Sequence, residues 1–187
     1  LPFLDLEMGE RLRAAMMALG VEFRLGETPK TVERVAEGIA CTLDSGHTIV
    51  SDKLLAASGR KGRTDELNLP EMGVTVDKRG YVTVDENYRT AVPHIYAAGD
   101  VIGFPALAST SMEQARVGVS HAFGFDYKRQ VSNVIPFGIY TIPEVSCVGL
   151  SEETAREKGI EHVVGRAFYR DNARGKIMGE TGYVKLL

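Results

Sequence analysis

Near the N-terminus the apolar residues Leu12, Ala15, Met16 and Leu19 recur at three- and four-residue spacing, which places them on one helical face. Asp5 stands before them as a cap and Gly20 after them as a stop, so the pattern predicts a helix between the two. The period then shortens to two. Val21, Phe23 and Leu25 alternate with Glu22 and Arg24, which predicts a half-buried strand. Residues 31–50 read as a small antiparallel meander. Val32, Ile39, Cys41, Leu43, Ile49 and Val50 supply its apolar positions, and Glu37-Gly38 and Asp44-Ser45-Gly46 its turns. The run 53–58 (KLLAAS) has the continuous apolar character of a strand buried on both faces.

A polar stretch punctuated by glycine and proline, 58–73, follows and reads as a crossover between domains. Val74-Thr75-Val76 and Tyr81-Val82-Thr83-Val84 flank Asp77-Lys78-Arg79-Gly80, a hairpin signal. A second buried run, 94–98, ends in Gly99-Asp100. A helix is expected from about 106 to 123, stopped by Gly124, with Ala108, Met112, Ala115, Val119 and Ala122 facing inward. In 126–187 the pattern predicts strands at 135–140 and 145–149, then a short helix capped by Ser151. Glu152 and Glu153 in its first turn and Lys158 in its last complement the helix dipole. Further strands are expected at 163–164 and 183–187. The whole reads as α/β with antiparallel inserts.

Composition narrows the function classes. The 187 residues carry 22 basic and 25 acidic side chains, a net charge of −3, which gives no field for nucleic acid or an anionic membrane. Cys41 and Cys147 lie far apart in apolar patterns, so they read as small core residues rather than a disulfide scaffold or redox pair. Pro136, Gly138, Pro143 and Glu144 interrupt the best candidate for a membrane span. His47, His94, His121 and His162 have no metal-ligand spacing. Arg166, Arg170, Arg174 and Lys176 read as a solvated basic face, and Glu113-Gln114 as exposed or interfacial. No catalytic acid, base or nucleophile stands out. Leu1-Pro2-Phe3-Leu4-Asp5 and 183–187 read as cut elements, so the chain is expected to be an internal piece of a longer protein.

The strongest motif is Thr90-Ala91-Val92-Pro93-His94-Ile95-Tyr96-Ala97-Ala98-Gly99-Asp100. An apolar run aims a strand at a crevice, and Gly99 lets a ligand approach the backbone without a Cβ in the way. Asp100 then stands where open α/β sheets bind ligands, its carboxylate suited to accept hydrogen bonds from sugar or polyol hydroxyls. The start of the next helix offers free N–H groups and a positive dipole end. Taken alone, Gly-Asp after a strand also fits a plain turn with a solvated aspartate.

This motif resembles the second FAD-binding signature of the flavoprotein disulfide reductases, the FAD-dependent pyridine nucleotide-disulfide oxidoreductase family. The resemblance implies that Asp100 hydrogen-bonds the FAD ribityl chain. It also implies that backbone N–H groups around Leu107, Ala108 and Ser109 meet the flavin pyrimidine edge. Ala57-Ser58-Gly59-Arg60 is similar to the family's passage from the NAD(P) domain back to the FAD domain, which makes Gly59 a nicotinamide-nucleotide contact.

The resemblance extends over essentially the whole chain. It implies parts of two Rossmann-like dinucleotide-binding domains with β-meander inserts, plus the first half of an α+β dimerisation domain. Residues 1–56 correspond to the second half of the NAD(P) domain, 57–125 to the returning FAD segment and 126–187 to the start of the dimerisation domain, through which a homodimer forms. Residues 101–116 and 135–145 are similar to the soluble pyridine nucleotide transhydrogenase branch, which implies FAD and NAD(P) as cofactors, nicotinamide nucleotides as substrates, hydride transfer between NADPH and NAD through the flavin, and a cytoplasmic location. A dihydrolipoamide dehydrogenase or related disulfide reductase remains open, as does a non-catalytic, self-associating piece. The chain contains no GxGxxG fingerprint.

Overall fold

The Asp5 carboxylate accepts hydrogen bonds from the N–H groups of Glu7 and Met8 at 3.1 and 3.4 Å and so starts α1 (Leu6–Ala18). The computed structural model describes residues 1, 3–179 and 181–187; Pro2, read above as part of a cut element, lies outside them. Leu19 is the C-cap of α1, and Gly20 follows in the left-handed region, as a helix stop requires. The chain divides into two units, one formed by Glu27–Asn133 and the other by Leu1–Gly26 with Val134–Leu187.

In the unit Glu27–Asn133, β1 (Pro29–Val35), β2 (Gly38–Leu43) and β3 (Thr48–Ser51) form an antiparallel sheet in that order, the expected meander. Its apolar positions do not make the core: Leu43 is buried, but Val32, Ile49 and Val50 are exposed. The core gathers instead around Leu69, Val74 and Val82, with Val76, Val84, Val92, Ile95 and Ala97 packed on them. The expected hairpin is present as a Val76–Val82 bridge, with the Asp77 N–H donating to the Tyr81 carbonyl at 2.9 Å. The unit's long helix is α2 (Ala108–Phe123), closed by Gly124 in the left-handed region.

In the other unit, α1 buries Leu12 against Leu4 and Val145, with Met8, Met16, Ile139 and Cys147 around them. Two antiparallel ribbons pair β4 (Phe137–Ile139) with β5 (Val145–Cys147), and β6 (Gly165–Phe168) with β7 (Tyr183–Leu186). The Ser151 hydroxyl accepts from the Thr154 N–H and caps α3 (Glu152–Glu157), as its position predicts. Asn172 caps α4 (Ala173–Met178) in the same way.

Four expected strands are absent; at 163–164 the chain is not yet paired, and β6 begins only at Gly165. Residues 21–25, 53–58 and 94–98 join no ladder among the described residues, apart from an isolated Arg89–Tyr96 bridge. An apolar run becomes a strand only where a neighbour exchanges backbone hydrogen bonds with it. Leu55, placed above in a doubly buried strand, is 90% exposed. The orientation of α2 also differs from expectation. Ala108, Met112, Ala115, Val119 and Ala122 face solvent, and Thr110, Gln114, Val117, Gly118 and Ser120 face the unit's interior. The face that packs within this unit carries specific polar contacts, described next.

Candidate functional site

Gly99 opens a 3-10 turn, Gly99–Ile102, rather than closing a ladder strand. It is buried, with φ at +84°, a conformation that side chains rarely adopt. A Cβ there would lie 3.1 Å from the Ser111 Oγ and 3.2 Å from its Cβ, so the glycine allows the turn to press directly on α2. The turn presents Asp100 outward, with its side chain 56% exposed.

The Arg60 guanidinium reaches the Asp100 carboxylate at 4.0 Å. That pairing brings the Gly59-Arg60 segment, distant in sequence, to the same place as Gly99-Asp100. A clasp of two glycines anchors the segment. The Gly62 N–H donates to the Arg79 carbonyl at 2.8 Å, and a Cβ on Gly62 would fall 2.0 Å from the Gly80 carbonyl oxygen. The Thr64 hydroxyl donates to the same Gly80 oxygen at 2.8 Å, and the Tyr81 hydroxyl to the Arg60 carbonyl at 2.9 Å. Gly59 itself is exposed, with φ at +114° and open space where a Cβ would stand.

α2 begins after Leu107, whose backbone is extended, and no side chain of the described residues caps it. The N–H groups of its first turn, from Ala108 onward, therefore have no partner within the helix and carry the positive end of its dipole. Ser111, one turn further on, donates its hydroxyl to the Leu107 carbonyl at 2.9 Å. Gln114, read above as exposed or interfacial, is 3% exposed, and its Oε1 accepts the Gly99 N–H at 2.7 Å. Its neighbour Glu113 does lie outward and pairs with Lys128 and Arg116, whose hydrogen bonds hold its carboxyl below the usual range.

One buried hydrogen bond, from the Gly99 N–H to Gln114, thus ties the turn that carries Asp100 to α2, and Arg60, Ser111 and Gln114 stand beside it, to which sequence reading gave no such part. For Gln114 the missed signal was its 3.6-periodic match to Thr110 and Val117 on one helix face. The arrangement is an open edge. Two clefts of about 430 and 370 Å³ lie elsewhere, the first beside Thr75, Thr83 and Arg89, the second beside Asn87, His121 and Arg129. Chemically, the edge offers a carboxylate acceptor for hydroxyls, a guanidinium, and helix N–H donors for an electron-rich ring edge. Those groups fit a hydroxylated, electron-rich cofactor such as FAD.

Among the other polar residues read from sequence, the His121 ring and the Tyr96 hydroxyl are hydrogen-bonded at 2.9 Å. Arg166 is not simply solvated; its guanidinium reaches Glu7 at 3.0 Å. Among the described residues no helix is long and apolar enough to cross a membrane.

Comparison with known families matches residues 1–122 to "Pyridine nucleotide-disulphide oxidoreductase" and 135–187 to the dimerisation domain of the same name. Proteins named soluble pyridine nucleotide transhydrogenase are similar along the whole chain: 45% identical in Mycobacterium tuberculosis and 44% in Marinobacter nauticus. In each case the alignment covers 100% of this chain and 40% of the relative, so the chain spans about two-fifths of their length. Among solved structures, the HOCl-induced flavoprotein disulfide reductase RclA from Escherichia coli superposes with a TM-score of 0.89 at 26% identity, covering 99% of this chain and 43% of that one. LpdA from Mycobacterium tuberculosis superposes with a TM-score of 0.82 at 28% identity, covering 93% of this chain and 38% of the other.

Proposed function

Because the chain belongs to the pyridine nucleotide-disulphide oxidoreductase family, we propose that it supplies one edge of the FAD site in an enzyme that moves hydride between NADPH and NAD, the reaction its transhydrogenase-named relatives point to. The observation that carries the reading is the junction of the Gly99-Asp100 turn with the uncapped start of α2. On this reading Asp100 holds hydroxyls of the FAD ribityl chain, and the N–H groups at Leu107, Ala108 and Ser109 hold the pyrimidine edge of the ring. FAD, when bound, supplies the two-electron acceptor and donor that the hydride passes through. Arg60, 4.0 Å from the Asp100 carboxylate, orients it, and the glycine clasp keeps Arg60 in reach. Gly59 contacts the nicotinamide nucleotide, where the missing Cβ leaves room.

The same reading gives residues 1–56 to the second half of the NAD(P) domain, 57–125 to the returning FAD segment and 126–187 to the start of the dimerisation domain. The dimerisation-domain match over 135–187 supports homodimer formation through the last of these. The "soluble" of the relatives' name supports a cytoplasmic location.

The test uses the protein expressed from its complete reading frame. Flavin absorption bands and reduction of NAD or its thio-analogue by NADPH are expected, without lipoamide or glutathione. Robust lipoamide turnover with no transhydrogenation would overturn the reading in favour of a dihydrolipoamide dehydrogenase.

A further inference from the structure

We propose that Gln114 is a positioning residue for the FAD site: its buried side chain joins the two pieces of backbone that face the cofactor. The inference rests on the functional reading above. The proposed site is assembled from the Gly99–Ile102 turn, which carries Asp100, and from the α2 N-terminus at Leu107–Ser109. These pieces are separated by an irregular loop. An error of about 1 Å in their relative placement is enough to spoil a multidentate contact.

Gln114 spans the gap from inside. It sits two turns into α2, 3% exposed, with its Oε1 2.7 Å from the Gly99 N–H. Because the partner is an N–H, the oxygen end of the amide must face it, and only an acceptor at this length satisfies the bond. Gly99 has φ at +84°, a strained conformation for most residues, and this bond helps hold it there. Ser111 completes the seat: its Oγ and Cβ abut the open face of Gly99, and its hydroxyl holds the Leu107 carbonyl at the helix start. Removing the acceptor leaves a buried N–H unpaired and lets the turn and the helix slide relative to one another.

The experiment compares Gln114→Met, Gln114→Asn and Gln114→Glu in the protein from its complete reading frame. Met matches the volume but has no comparable acceptor. Asn keeps the amide but is one methylene too short. Glu keeps an oxygen at the right reach. Each apoprotein is titrated with FAD by quenching of flavin fluorescence, the bound-flavin absorption spectrum is recorded, and thermal unfolding of the apoprotein is followed. The Met and Asn variants are expected to bind FAD about tenfold more weakly. Their flavin bands should lose vibrational structure, and Glu should restore affinity to within about threefold of wild type. Met and Asn variants with wild-type affinity and bands would overturn the inference alone. So would a Glu variant as weak as Met whose apoprotein unfolds at the wild-type temperature, since any cost of burying its carboxylate would show in the unfolding. A wild-type protein that takes up no FAD would overturn the functional reading and the inference with it.

Discussion

Lys185 places its ammonium 2.8 Å from both carboxylate oxygens of Asp5, across 180 positions of sequence. The Lys185 side chain is 3% exposed, and Glu152 also reaches its Nζ at 2.7 Å. Asp5 thereby does three things: it caps α1, accepts the Glu152 N–H at 3.1 Å, and neutralises a buried cation on β7. Removing the cation leaves clustered carboxylates uncompensated, which costs far more than the ion pair contributes. Lys185→Met is expected to destabilise the unit that contains it by about 3 kcal/mol. Urea unfolding followed at the α1 helix would check this, and a midpoint equal to wild type would contradict it.

The same cluster sets an acid limit. The Arg166 guanidinium, joined by the Tyr183 hydroxyl and Lys185, pulls the Glu7 carboxyl from its ordinary 4.5 down to about 2. Asp5 is also lowered; burial works against its charge, but the Lys185 hydrogen bond and the Glu152 N–H outweigh it. A carboxyl depressed by folding binds its proton more readily in the unfolded chain. Its stabilisation is therefore complete above the ordinary carboxylate range and is lost as pH falls from 4.5 towards 2. Stability measured across that window should fall steeply for wild type and less steeply for Glu7→Gln. Parallel profiles would rule out Glu7 as a contributor.

Two glycines in different settings predict opposite signs for the same substitution. At Gly62 an added Cβ meets the Gly80 carbonyl oxygen at 2.0 Å, and backbone cannot move aside cheaply. Gly62→Ala should destabilise by about 2–3 kcal/mol. Gly9, inside α1, has nothing within 4 Å of its added Cβ. Gly9→Ala should stabilise by about 0.5–1 kcal/mol through helix propensity alone. Thermal unfolding of the two variants gives the comparison, and a neutral Gly62→Ala would dissolve the clasp.

For the cofactor, Asp100→Ala in the protein from its complete reading frame should weaken FAD binding roughly ten- to a hundredfold, as expected for a lost hydrogen bond to a charged group. Flavin content after exhaustive dialysis measures it; full retention would remove Asp100 from the site.

The 187-residue polypeptide expressed alone should be colourless and inactive in transhydrogenation. It contains no GxGxxG loop, and helix-dipole contacts to the pyrophosphate supply much of dinucleotide affinity. An absorbance scan showing stoichiometric flavin in that polypeptide would be the contrary result.

Local order in this protein was legible from residue pattern wherever its cause is local. The Asp5 and Ser151 caps, the left-handed glycines after α1 and α2, and the 29–51 meander depend on neighbours within a few positions, and the structure has them where the pattern puts them. The motif ending in Gly99-Asp100 likewise carried its family in eleven adjacent residues. Strand status at 21–25, 53–58 and 94–98 was not legible, because a strand exists only by pairing and an apolar run does not name its partner. Nor was the buried face of α2. A hydrophobic stripe at 108, 112, 115, 119 and 122 outweighs, on paper, one glutamine and one serine. In the fold, the face bearing Gln114 and Ser111 packs on the Gly99 turn, where Gln114 accepts the Gly99 N–H and Ser111 lies close against the glycine. Long-range polar partners such as Gln114 with Gly99, Arg60 with Asp100 and Lys185 with Asp5 are chosen by proximity after folding, which sequence spacing does not encode.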